Sequence, residues 1–258
     1  MNYRDIRFQV EDGIGFITLN RPEKRNTLSM NLIAEMADLL KTIKKNPEVR
    51  VVIIRGEGPV FSSGHDLSEM REGGVVSYRL VFDACTEMMQ AIRDLPQPVI
   101  AQVQGTATAA GCQLVATCDL AVAEEGARFA TPGVRIGLFC HTPQVPLTRA
   151  VGRKRALEML LTGRPISAEE AERYGLINKV VPADRLAEET LSLARHIAQA
   201  SPLILALGKK SFYSQIETDE ARAYNYAQEM MSLNAMTDDA QEGISAFLQK
   251  RDPQWKGK

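Results

Sequence analysis

Residues 105–119, "GTATAAGCQLVATCD", close an uncharged run of 24 residues that extends from Leu95 to Cys118. A run of that length is enough to span a bilayer, so its reading decides what kind of protein this is. Pro96, Pro98, Gly105, Gly111 and four glutamines interrupt it, and a lipid-facing helix carries such residues poorly. "VIAQVQ" reads instead as a buried strand, "GTATAAG" as a turn of small residues, and "CQLVAT" as part of a short apolar helix. The run is therefore expected inside a soluble core.

Upstream, "IRFQVEDGIGFITLN" alternates apolar and polar residues on both sides of Asp12-Gly13, the pattern of a two-stranded hairpin. Ser29 is placed to cap a helix whose apolar positions, Leu32, Ile33, Met36, Leu39, Leu40 and Ile43, recur at helical spacing and stop near Asn46-Pro47. "VRVVIIRGEG" is a β-branched run between turn signals, as expected of a strand covered on both faces. A loop, "FSSGHDLSEM", and a helix through "YRLVFDACTEMMQAIRDL" then lead back to the opening stretch. This alternation of strands and helices predicts an α/β fold with crossover connections. From Arg149 onward helical patterning dominates, with Ser167 as a cap and Gly175 as a stop. "DAQEG" reads as a capping box, with Asp239 at the cap and Glu242 three residues on.

The chain has 258 residues and a formal net charge of −1, which leaves no broad basic footprint for nucleic acid or for an anionic membrane. Its four cysteines, Cys85, Cys112, Cys118 and Cys140, lack the paired spacing of a zinc site, so neither a metal nor a disulfide framework is expected. The opening "MNYRDIRFQVEDG" is charged and turn-forming where a signal peptide would be apolar, which leads to an expected cytoplasmic location.

Two loops share one physical form. "SSGHDL" follows the "VVIIRG" strand and "GTATAAG" follows the "VIAQVQ" strand, each carrying small residues toward a helix start. Such turns let backbone amides approach a ligand, and the helix dipole adds positive potential, so two converging loops would hold a developing oxyanion. "FSSGHDLSEM" resembles the F-x-A-G-x-D-L segment of the crotonase, or enoyl-CoA hydratase/isomerase, superfamily. The resemblance continues through "GTATAAGCQLVATCDLAVAEEGARFATPGVRIGL", "LTRAVGRKRALEMLLTGRPISAEEAERYGLINKVVP" and "DDAQEGISAFLQKRDPQW", and so covers nearly the whole chain in order.

That resemblance implies an α/β, ClpP/crotonase-like spiral of ββα units over residues 1–195. A C-terminal helical region, 196–258, would pack subunits into a homotrimer or a hexamer of paired trimers. It also implies an acyl-CoA thioester as ligand, with coenzyme A entering as part of the substrate and no separate cofactor. The thioester oxygen would be held by the backbone N–H groups of His65 and Ala110. Ser63, Gly64, Asp66 and Leu67 of the same loop, Lys24 and Arg25 before it, and Phe247 and Lys250 of the last helix would meet the CoA moiety. Leu138, Phe139, Cys140 and His141 would line the acyl pocket. Asp66 also reads, without any ligand, as a helix cap.

Hydratases of this family set two glutamates around a water, and the matching positions here hold Gln113 and Gly133. A glutamine exchanges no proton at neutral pH and a glycine has no side chain, so the acid–base pair for adding water is missing while the oxyanion hole is kept. Three readings follow: an acyl-CoA-binding family member without standard hydratase activity, a decarboxylase or hydrolase that uses the oxyanion hole with His65, and a non-catalytic acyl-CoA sensor or scaffold. Methylmalonyl-CoA decarboxylases of the same superfamily show a similar "GHD". A lone loop histidine is more commonly structural than catalytic.

Overall fold

A computed structural model of the chain describes residues 3–258. Strands β1 (Ile6–Glu11) and β2 (Ile14–Leu19) form the expected hairpin, joined at Asp12 (φ 50°) and Gly13 (φ 78°), the two left-handed residues a tight hairpin turn requires. Helix α1 (Met30–Ile43) starts where Ser29 accepts a hydrogen bond from the Leu32 amide, and strand β3 (Val51–Gly56) returns parallel to β2. Helix α2 (Val75–Arg93) leads to strands β4 (Val99–Val103) and β5 (Thr106–Thr108) and then to helix α3 (Ala110–Thr117). The uncharged run is thus divided among two strands and a buried helix. Among the described residues no helix is long and apolar enough to cross a membrane.

Strands β6 (Leu120–Glu124) and β7 (Arg128–Ala130) follow, then helices α4 (Gln144–Val151) and α5 (Arg153–Thr162). Two short strands, β8 (Ile166–Ser167) and β9 (Lys179–Val181), flank helix α6 (Ala168–Tyr174) in a region whose sequence reads as helical throughout. At two and three residues each they are shorter than any periodicity can mark. Ser167 and Glu170 form a capping box at the start of α6, and Gly175 ends it in the left-handed conformation, both as expected.

The larger sheet has the order β1-β2-β3-β4-β6-β9, parallel except for the opening hairpin. Its side chains alternate between two cores, as the two-residue period of a strand dictates. Ile14, Phe16, Val51, Ile53, Ile100 and Val122 face helix α7 (Leu186–Ala198), meeting Leu186 and Ala194. Ile17, Leu19, Val52, Ile54, Val99 and Ala101 face the other way, onto Leu32, Met36, Met88, Ile92 and Leu114 of α1, α2 and α3. Coverage on both faces explains why these strands read as unbroken apolar runs. The smaller sheet, β5-β7-β8, is extended by single bridges between Ser62 and Ala107 and between Leu28 and His65, so successive segments each contribute to it.

Helices α8 (Pro202–Gln215), α9 (Glu220–Ala235) and α10 (Asp238–Gln249) complete the chain. The 195/196 boundary falls within the last turn of α7. Lys209 of α8 forms an ion pair with Asp119 at 2.7 Å, with both side chains largely buried, and donates to the carbonyls of Ile92 and Gln97. Tyr213 donates to the same aspartate. Beyond this anchor, α8 and α9 bury no residue, and Phe212, Met231, Met236, Phe247 and Leu248 are all more than half exposed. The expected "DAQEG" capping box is not formed: Thr237 caps α10, accepting from the Ala240 amide. Asp239 is buried and accepts from Ser201 and from the amides of Lys256 and Gly257, while Glu242 pairs with Arg251 at 2.6 Å. Both carboxylates hold the C-terminal segment, a partner that lies too far along the chain for a capping pattern to reveal.

Candidate functional site

Because β3 and β4 are parallel neighbours, their C-terminal ends release the two small-residue loops side by side. Backbone hydrogen bonds lace them together: Phe61 to Gln104, Ser62 to Thr106, and Thr108 back to Ser62, all near 3.0 to 3.1 Å. The segment before α1 joins them, since the Ser63 amide donates to the Arg25 carbonyl and the Ser62 hydroxyl to that of Asn26. Asn26, itself buried, donates to the carbonyls of Glu57 and Val60. Asp66 caps the short 3-10 turn Leu67–Met70 and pairs with Arg21 at 3.3 Å. The Ser68 hydroxyl, and then Arg21, hold its carboxyl below the usual range.

A close approach beside the free amides is at Gly64. Its φ of +93° disfavours any side chain, and a Cβ there would lie 2.9 Å from the Ala109 Cβ and 3.2 Å from the Ala110 nitrogen. Ala109 has φ 50° and ψ −119°, a glycine-like conformation that costs about 1–3 kcal/mol, held in place as its N–H donates to the Ala130 carbonyl. The chain thus accommodates an alanine in a glycine-like conformation, straining the residue that turns the start of α3 into place. Among the described residues, neither the His65 N–H nor the Ala110 N–H donates a hydrogen bond. Ala110 is the first residue of α3, so its free amide is one of the orphan donors at a helix N-terminus.

In front of these amides lies a cavity of about 590 Å³. Of the residues expected at the site, Ser63, His65, Leu67, Ala110, Gly133, Leu138, Phe139, Cys140 and His141 line it. Lys24, Arg25, Gly64 and Asp66 are not among its lining residues, nor are Phe247 of α10 and Lys250, which caps that helix. Gln113 is buried off the wall with its side-chain oxygen unpartnered. Sequence reasoning missed Met70, Phe82, Ala109, Pro132, Arg135, Ile136, Thr142 and Pro143, which complete the lining. Of these, Met70, Ala109, Pro132, Arg135 and Ile136 sit inside the segments that carry the family resemblance.

Among the described residues no Asp or Glu lines the cavity, and its titratable groups are held neutral where a shift is resolved. Burial pushes the Cys140 thiol up and brings the His65 imidazole down to about 4. The His65 ring packs edge-on to Phe82 at 5.5 Å, and its Nε2 is buried without a partner. At neutral pH this ring is an uncharged, weak base. Its depressed pKa makes stability rise with pH between about 4 and 6.5, because the unfolded chain takes up a proton there and the folded chain does not. Acidification from pH 7 to 4.5 is therefore expected to cost the wild type about 2–3 kcal/mol more than His65→Gln, read from urea unfolding of both proteins. Equal losses would mean that His65 is not held neutral.

Comparison with known proteins matches this architecture. A human crystal structure, "enoyl Coenzyme A hydratase domain-containing protein 3", superposes with TM-score 0.95 at 51% identity, covering 98% of this chain and all of the other. An enoyl-CoA hydratase from Mycobacterium smegmatis gives TM-score 0.95 at 46% identity, covering 98% and 99%. The fold is the α/β crotonase fold. The family model "Enoyl-CoA hydratase/isomerase" matches residues 9–258, and the chain belongs to that family. The curated human and mouse relatives named "Enoyl-CoA hydratase domain-containing protein 3, mitochondrial" are 52% and 50% identical over 95% of this chain and 81% and 82% of their own lengths. Their names overturn the cytoplasmic expectation and point to a mitochondrial location. A charged opening segment argues against a secretory signal peptide only, and that argument does not distinguish these two compartments.

Proposed function

We propose that this protein binds acyl-CoA thioesters and stabilises an enolate on the thioester oxygen through the backbone amides of His65 and Ala110, without catalysing hydration by a carboxylate pair. The observation that carries this reading is the combination of two unpaired amides and a cavity wall free of carboxylates. Donors preset toward a developing oxyanion contribute most where water is excluded, and they need no proton exchange of their own. Adding water to a double bond needs an acid and a base, each worth roughly 10²- to 10⁴-fold. The neutral His65 ring, with a pKa near 4, supplies neither efficiently at pH 7.

Chemistry that forms an enolate without a strong base, decarboxylation included, suits this arrangement. The exposed apolar side chains of α8, α9 and α10 supply a face for a second and third copy of the chain, which supports assembly as a homotrimer, alone or paired. The test is calorimetry with crotonyl-, acetoacetyl- and methylmalonyl-CoA, followed by mass spectrometry of the products. Binding with no hydrated product is expected. Absence of binding to every member would remove the acyl-CoA reading, and a 3-hydroxyacyl product would remove the exclusion of hydration.

A further inference from the structure

Arg135 is the one Lys or Arg among the described residues that line the cavity, and no carboxylate there opposes it. Its side chain is held in place rather than free: Nε donates to the Thr162 carbonyl at 3.3 Å, and a Cβ on Gly163 would lie 3.2 Å from both Cγ and Nε. The two terminal nitrogens of the guanidinium make no hydrogen bond or ion pair with the described residues. The end of the side chain that carries the bidentate donors is thus left open beside Ile136, Leu138 and Phe139, on the wall that also holds His141. A guanidinium fork of this kind matches the geometry of a carboxylate, and Arg135 stands exposed at the cavity's rim, where such a fork meets the far end of a ligand.

We infer that the acyl group this cavity takes carries a carboxylate of its own, a thioester of a dicarboxylic acid, with Arg135 as the residue that selects it. The inference rests on the acyl-CoA reading above and specifies its substrate class. A neutral acyl chain would leave the fork facing an apolar ligand, with its hydration partly lost and nothing in exchange. The phosphates of CoA are a second source of negative charge. They would draw on Arg135 whatever the acyl group, so the two sources give different results.

The experiment is calorimetry of glutaryl-CoA and valeryl-CoA, which share a five-carbon acyl chain, against the wild-type protein and Arg135→Leu. The wild type is expected to bind glutaryl-CoA at least about tenfold more tightly, and the variant to lose that preference while binding valeryl-CoA within about twofold of the wild type. Equal wild-type affinities for the two ligands would overturn the inference and leave the acyl-CoA reading standing. An equal loss for both ligands in the variant would assign Arg135 to the CoA phosphates and overturn it as well. No binding of either ligand would defeat both readings together. Arg135→Lys, which keeps the charge but not the fork, is expected to recover only part of the preference.

Discussion

Gly133→Glu, alone or combined with Gln113→Glu, is expected to lower stability by about 3 kcal/mol and to yield no hydratase activity, although it rebuilds the glutamate pair of the family's hydratases on paper. A Cβ at Gly133 would lie 1.9 Å from the Leu138 carbonyl oxygen and 2.9 Å from the Cys140 Sγ. That carbonyl belongs to a tight turn, closed where the Leu138 amide donates to the Gly133 carbonyl at 2.9 Å. The backbone has filled the space a side chain would need. Any residue larger than glycine must displace the turn and, with it, Leu138 and Cys140 of the cavity wall. Gly133→Ala carries the same Cβ and should show most of the stability loss, as a melting temperature lower by roughly 6–12 °C. Gln113→Glu would add a carboxyl in a buried position off the wall, where desolvation favours its protonated form. Normal melting of Gly133→Glu, together with crotonyl-CoA hydration, would show that the turn yields easily and that only the side chains were missing.

The second large effect belongs to Ala110→Pro. Proline is tolerated at the first position of a helix, where the amide has no intrahelical acceptor, so the exchange removes the proposed oxyanion donor without breaking a hydrogen bond within α3, although its ring adds to the strain at Ala109. Acetoacetyl-CoA, whose enolate places charge on the thioester oxygen, is expected to bind about 100-fold more weakly, within the range for loss of one oxyanion donor. Butyryl-CoA, with no such charge, should weaken only a few-fold, and thermal unfolding should report whether α3 still packs. Equal weakening for both ligands would mean that the amide serves the fold or the CoA moiety rather than a developing charge.

The elements that sequence alone revealed were those with local causes. The Asp12-Gly13 turn, the Ser29 and Ser167 caps and the stop at Gly175 each depend on residues within a few positions of one another. The apolar patterning also separated strands from helices through α3, except that Thr106–Thr108, expected within a turn of small residues, forms strand β5. Strands β8 and β9 escaped because two or three residues carry no period, and they pair with strands far away in the chain. Asp239 was misread for a related reason: its carboxylate is taken by the C-terminal segment, which no spacing rule connects to it.

At the site, the placement of His65, Ala110 and Leu138–His141 around one cavity was anticipated through the family resemblance, which orders these short segments along the chain. The position of Gln113 off the wall was not, since a motif names a residue without aiming its side chain. Met70 and Phe82 join the cavity through the chain that runs from the Ser63–Leu67 loop into α2. The neutrality of His65 comes from burial against residues such as Phe82, a property of packing and not of the "GHD" triplet. Arg135 stood in the middle of a quoted motif, yet its open fork is visible only once Thr162 and Gly163 are seen to hold its stem.

The most direct measurement is a time course of crotonyl-CoA with the wild-type protein at pH 7, with bound ligand followed by calorimetry and the added water by mass spectrometry. Binding, with no 3-hydroxybutyryl-CoA above the rate without protein, is the predicted result. Turnover at an ordinary enzymatic rate of roughly 1–10³ per second would contradict the account, because hydration would then proceed in a cavity whose described lining holds no carboxylate pair.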